Sequence, residues 1–189
     1  MPQLRSQPRR AKSSPTKKPT AAACTVFSSE LGWIVVEWQA EQITLISFGH
    51  SSPAAAAKRS TAEPVEADEV PRWVAKLIEK MQRFAAGKVV TWGEVPLAIG
   101  KLSEFQRKVQ QACQAIPRGE VRSYGELAAA AGSPGAARAV GSVMRTNRFP
   151  LVIPCHRVVA AGGKLGGFSC PSGVEMKTKL LALEGVKLK

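Results

Sequence analysis

Cys155, His156 and Arg157 stand consecutively after Pro154, inside the apolar run LVIPCHRVV. A thiol reacts as its thiolate, and neighbouring cationic or proton-accepting groups favour that form. A cysteine that only packs needs no such company. If the chain carries a nucleophile, Cys155 is the best candidate, with His156 as its base and an acid to orient the histidine. The bland alternative is an inert core thiol, since free cysteine is among the most buried residue types. Adjacent strand residues also point to opposite faces, so Cys155 and His156 share a site only where the chain bends. Pro154 favours such a bend. Metal binding fits poorly: the chain has two histidines, and Cys24, Cys113, Cys155 and Cys170 form no close pair. No disulfide framework is suggested, and a reducing, intracellular setting is the simpler reading.

The segments that must position this stretch can be read from their periodicity. WIVVEW and ITLISF are β-rich runs separated by QAEQ and predict a hairpin. Val70, Trp73, Val74, Leu77, Ile78, Met81 and Phe84 lie at helical spacing before Gly87. His50 stands apart from any cluster and reads as a surface or loop histidine. Leu102, Phe105, Val109, Cys113 and Ile116 predict another helix, ended by Pro117 and Gly119, with Cys113 in the core. Ser123 and Glu126 stand at capping-box spacing ahead of a short helix with Leu127, Ala128 and Ala131 facing inward. Ser133 is expected to cap a second helix started by Pro134, giving a helix-turn-helix with a three-residue turn. That helix is slim, built on Gly135, Ala136, Ala137, Ala139, Gly141 and Ser142, with Arg138 and Arg145 projecting. It could approach a nucleic-acid backbone or another helix equally well. Val152-Ile153 and Val158-Val159 are expected as a strand entering and leaving the Cys155 stretch. A final helix is expected from Val174 to about Leu183, ending at Glu184-Gly185.

The net charge of +13 is unevenly spread. Residues 1–23 carry six bases and no acid. Residues 24–100 carry seven bases and nine acids, and residues 101–189 fourteen bases and five acids. A polyanion, most commonly nucleic acid, suits the C-terminal half, although a basic surface can also serve solubility alone. Residues 1–23 are Pro-, Ser- and Lys-rich and are expected to be a disordered basic tail. No apolar run approaches the ~20 residues of a membrane helix, and no secretory signal is apparent.

IPCHRVV resembles the active-site signature of the O6-alkylguanine-DNA alkyltransferases. The resemblance extends almost continuously through RGEVRSYGELAAAAGSPGAARAVGSVMRTNRFPLVIPCHRVVAAGGKLGGFS and closes with KLLALEGV. It is strong from about Phe105 to Val186, and residues 31–95 look like the family's divergent N-terminal domain. It implies DNA repair by direct damage reversal. An alkyl group would pass from O6-alkylguanine, and O4-alkylthymine, in double-stranded DNA to Cys155, once per molecule and without a cofactor. His156 would take the thiol proton through a water, Glu184 would orient His156, and Asn147 would hold the backbone turn. Tyr124, Val158, Ser169 and Lys177 would contact the base. Ser123, Ala136, Ala137, Arg138 and Arg145 would face DNA. Arg138 would fill the gap left by a base flipped out through the minor groove.

The expected fold is α+β: a small N-terminal sheet-plus-helix domain over 24–98, with a loop at 50–69, then a mostly helical domain over 99–189. The latter carries a winged-helix-like helix-turn-helix. A monomer in the cytoplasm, or the nucleus of a eukaryote, is expected. Zinc-binding family members use several Cys and His in the first domain; Cys24 and His50 alone imply no metal. Cys170 departs from the glycine many members carry. Two other readings remain: a non-catalytic alkyltransferase-like lesion binder, which would replace the acceptor cysteine, and a helix-turn-helix regulator.

Overall fold

The alternation in GWIVVEWQ buries both faces of one strand, which must therefore lie inside a sheet. A computed structural model describes residues 21–186. In it β2 (Gly32–Gln39) lies between β1 (Ala23–Ser29) and β3 (Gln42–His50), antiparallel to both. The sheet order is β3-β2-β1-β4, with the short β4 (Glu63–Pro64) parallel to β1. Ile34, Val36 and Trp38 face the main core, where α2 (Arg72–Ala85) presents Val74, Leu77, Met81 and Phe84. Val35 on the opposite face packs with Cys24 and with Ala56 of α1 (Pro53–Ala57) in a small second cluster. The predicted hairpin is present. Its two turn residues, Ala40 and Glu41, have φ of 46° and 65°, as a tight turn between twisted strands demands. The predicted α2 face is also present.

Three expectations for this half need correction. The loop expected over 50–69 instead carries α1, capped by the Ser52 side chain, and β4, held by its pairing with the distant β1. The sequence reading placed no strand before the hairpin, yet β1 extends the sheet; its pairing is a long-range fact that its own residues do not announce. His50 is buried, not a surface histidine: it closes β3, and its Nε2 lies 2.9 Å from Ser47 Oγ. Burial, then the nearby Arg59, lowers its pKa. Of the expected tail, residues 1–20 lie outside the described residues.

The chain then runs extended to α3 (Glu104–Gln114), touching β3 on the way: Ile43 N donates to Pro96 O at 2.8 Å. α3 begins with a capping box on Ser103 and Gln106, and Cys113 is fully buried, as expected. β5 (Arg122–Ser123) leads directly into α4 (Tyr124–Ala130), whose capping box is the predicted one. Ser123 N donates to Glu126 Oε2 at 2.6 Å, and Glu126 N donates to Ser123 Oγ at 3.1 Å. The next helix, α5 (Ala137–Arg145), starts later than expected and has no side-chain cap. Ser133 to Ala136 instead form a turn, with Gly135 at φ 87° interrupting helical geometry. The connection is therefore longer than three residues.

The Cys155 stretch is only half a strand. Ile153 N donates to Phe149 O at 2.8 Å, so the entering residues turn rather than extend. Cys155–Arg157 form a single 3₁₀ turn. Only β6 (Val158–Val159) is a strand, pairing parallel with β5. α6 (Gly173–Leu183) ends as expected, and Val186 N and Gly185 N return to Leu181 O and Ala182 O. This is a Schellman closure with Gly185 at φ 81°. One apolar cluster runs from the sheet through α2 to α3, α5, Cys155 and α6.

Because the Ser123 cap satisfies helix donors that lack a partner within α4, Ser123→Ala is expected to lower stability by about 1 kcal/mol. Urea unfolding followed by circular dichroism measures this.

Candidate active site

A 3₁₀ turn spaces successive side chains by about a third of a revolution. Cys155, His156 and Arg157 therefore radiate from one short turn, which a strand could not arrange. Asn147 braces the approach: its Nδ2 donates to Ile153 O at 2.9 Å, and its Oδ1 accepts from Phe149 N at 3.0 Å. Leu151, fully buried at φ 72°, bears the left-handed backbone this bend requires.

Behind the thiol lies a buried charged cluster. His156 Nε2 is 3.1 Å from Glu184 Oε1. Arg157 Nε donates to Glu184 Oε2 at 2.8 Å and Nη2 to Oε1 at 2.7 Å, a two-pronged clamp. Arg157 Nη1 donates to Ile116 O at 2.6 Å, tying the end of α3 to the site. The sequence reading gave Arg157 no role beyond proximity. Its available signal was a cation next to the expected His–acid pair, since guanidinium is the group that holds a carboxylate with two parallel bonds.

A carboxylate only accepts, so the Nε2 facing Glu184 carries the proton. Nδ1 is then the free lone pair, and it is buried with no hydrogen-bond partner in the protein. Burial lowers the His156 pKa, against the bond and charge of Glu184, so the ring is neutral at neutral pH. For Glu184, burial acts upward, but hydrogen bonds from His156 and Arg157 outweigh it and hold the carboxyl at about 2. Burial raises the Cys155 thiol, partly opposed by Asn147 and by the charge of Lys177. The resting sulfur is thus a thiol.

Cys155 opens onto a cavity of about 440 Å³, within the roughly 300–1,000 Å³ range of small-molecule sites. Tyr124, Arg138, Gly141, Ser142, Met144, Arg145, Gly167, Phe168 and Ser169 complete its lining. Of the predicted residues, Cys155, Tyr124, Ser169, Arg138 and Arg145 thus meet at one opening. Tyr124 is raised in pKa by burial, then by Cys155, and keeps its O–H. Val158 is buried, and its carbonyl accepts from Lys177 Nζ at 2.6 Å. Lys177, also fully buried, bonds Leu165 O as well, so it sits behind the cavity and staples its glycine-rich rim to β6. Burial lowers its pKa to about 8. Ala136 and Ala137 are half-buried at the start of α5, and Arg138 is exposed beside them. The Ser123 hydroxyl is occupied by its cap. Cys170 is half-buried near the rim, its thiol raised by burial.

Known proteins resemble this chain over most of its length. Residues 104–186 match the family model for the 6-O-methylguanine DNA methyltransferase, DNA binding domain. The methylated-DNA--protein-cysteine methyltransferase of Mycolicibacterium paratuberculosis is 47% identical over 116 residues, 61% of this chain and 68% of that protein. The constitutive enzyme of that name from Bacillus subtilis is 35% identical over 165 residues, 87% of this chain and 96% of the relative. The crystal structure of Mycobacterium tuberculosis OGT in complex with DNA aligns at TM-score 0.70 and 31% identity. That alignment covers 86% of this chain and 92% of that one.

Glu184 is ordinarily protonated near pH 4.5 and in the fold near 2, so its stabilisation is complete above about pH 4.5 and lost as pH falls toward 2. Glu184→Gln removes that dependence and leaves Arg157 uncompensated. A loss of about 3 kcal/mol at neutral pH is expected, with a flatter acid limb, in denaturant titrations between pH 2 and 7.

Proposed function

We propose a residue-level reaction for this chain, which belongs to the methylated-DNA--protein-cysteine methyltransferase family. The chain repairs DNA by moving an alkyl group onto one of its own cysteines. The acceptor is Cys155, and the lesion is guanine alkylated at O6. The observation that carries this reading is a buried thiol at the floor of a base-sized cavity, backed by a neutral histidine whose outer nitrogen is fixed on Glu184.

The proton leaves Sγ for His156 Nδ1, directly or through a water, while Nε2–H stays on Glu184. The imidazolium so formed is stabilised by that carboxylate. The thiolate attacks the alkyl carbon opposite O6. The S–C bond forms, the C–O6 bond breaks, and the electron pair departs with the guanine. Tyr124 O–H hydrogen-bonds to the leaving ring. The thioether has no activated centre for water to attack, so each molecule reacts once.

The alkylated atom lies within the duplex, so the nucleotide must be extruded. The small residues of α5 let its backbone approach the minor groove, and Arg138, at the cavity mouth, takes the place of the extruded base. The groups named here come from a single chain, so a monomer suffices. No helix among the described residues is long and apolar enough to cross a membrane.

Intact mass after incubation with duplex O6-methylguanine DNA is expected to show one added methyl, mapped to Cys155 by peptide fragmentation. Methyl on Cys24, Cys113 or Cys170, or repeated turnover, refutes the assignment.

Arg138 separates extrusion from chemistry. Extrusion costs a few kcal/mol, so Arg138→Ala is expected to slow repair of duplex DNA on the order of ten- to a thousandfold. The free base O6-benzylguanine needs no extrusion and should be affected far less. Equal loss with both substrates would make Arg138 a structural residue.

A further inference from the structure

Cys155 lines two cavities. The second, about 240 Å³, lies between β3 and the segment after α5. Met144, Arg145, Phe168 and Ser169 line both cavities, so they form the partition, and the thiol sits where the two spaces meet. Two of its lining segments are tied together, since Ile46 N donates to Arg148 O at 2.8 Å.

In a displacement at carbon, sulfur and O6 must lie on opposite sides of the reacting atom. The remainder of the alkyl group therefore leaves sideways. With guanine in the first cavity, the adjoining space at the sulfur is the second. Its charge is one-sided. Arg59, Arg145 and Arg148 line it, and no Asp or Glu does. Among the described residues, neither Arg59 nor Arg148 is paired with a carboxylate.

We propose that this second cavity receives the alkyl chain and that Arg59 and Arg148 select for chains ending in a carboxylate. The proposal rests on the alkyl-transfer reading above and names a substrate class for it: O6-carboxyalkylguanine. The step is unchanged in balance. Sγ gives its proton to His156 and bonds the first chain carbon, the C–O6 bond breaks, and guanine leaves with the electron pair. The product is an S-carboxyalkyl cysteine whose carboxylate lies among the arginines. Both arginines are exposed, so the preference is of the size of a solvent-accessible ion pair.

The test uses the full chain and duplexes carrying O6-methylguanine, O6-carboxypropylguanine or its neutral amide, O6-carbamoylpropylguanine. Single-turnover rates are read by intact mass. The carboxylate is expected to react about two- to fivefold faster than the amide, and added salt should shrink that ratio. In the Arg59→Gln/Arg148→Gln double variant the ratio should fall to about one. Because the ratio is taken within each variant, any shared loss of DNA binding or folding cancels. A wild-type ratio at or below one, or a ratio unchanged in the double variant, overturns the subsite while methyl transfer stands. Failure of Cys155 to accept methyl from O6-methylguanine overturns the underlying reading instead.

Discussion

The site is organised around one buried carboxylate. Glu184 sits at the end of α6 with almost no solvent, and a lone buried carboxylate would cost several kcal/mol. Two neighbours could neutralise it, with opposite consequences for chemistry. Were His156 alone to do so, it would have to hold a proton at rest and could not accept one from the thiol. Arg157 takes the charge instead, through two bonds to the same carboxylate. Its positive charge also helps lower the His156 pKa, after burial itself. The arginine thus lets the histidine stay neutral while its ring is still aimed by Glu184. As the proposed base, His156 must be both aimed and empty: Glu184 aims it, and Arg157 takes up the charge of Glu184.

Much of the fold serves to hold that cluster still. The Schellman closure fixes where α6 stops and hence where Glu184 lies. Arg157 reaches Ile116 O, so α3 cannot shift without disturbing the clamp. The β5–β6 pair joins the start of α4, with Tyr124, to the strand leaving Cys155. Lys177 fastens that strand to the rim of the cavity. The N-terminal unit contributes Phe84, whose ring lies 6.3 Å from that of His156 and at 58° to it. Its part is to cover the histidine with apolar surface. The desolvation that lowers the His156 pKa is therefore supplied partly by a helix that carries no reactive group.

What the sequence made legible follows the range of the interactions involved. The Ser123–Glu126 box, the stop at Gly87 and the faces of α2 and α3 are settled within a few residues, and they can be read without a structure. The pairing of β1 with β2 and the burial of His50 depend on distant partners and could not be. Ser133 and Pro134 looked like a helix start, but Gly135 at positive φ diverts the backbone first. At the site, Pro154 signalled a bend without giving its form. The 3₁₀ turn matters because it, and not adjacency, decides which way Cys155, His156 and Arg157 point. Residue-level roles for Glu184 and Asn147 came from resemblance; the 28-residue separation of His156 and Glu184 leaves no local trace.

A protein that reacts once is lost to any side reaction at its thiol, which sets a requirement on the resting state. The thiolate is the form open to oxidants and stray electrophiles. Burial keeps Cys155 protonated, and Lys177 and Asn147 moderate that effect without reversing it. The deeper Cys113 is likewise raised by burial and inert. In the proposed reaction, activation depends on the proton moving to His156, a step that separates charge inside a dry site. Such a separation is unfavourable unless something gains from the thiolate. A bound base with its alkyl carbon in line does so, because the negative charge is passed on to the leaving ring as it forms. In the proposed reaction, the same burial that slows the free thiol therefore couples its activation to the arrival of the lesion. A more exposed or more acidic cysteine would react faster in isolation and would discriminate less.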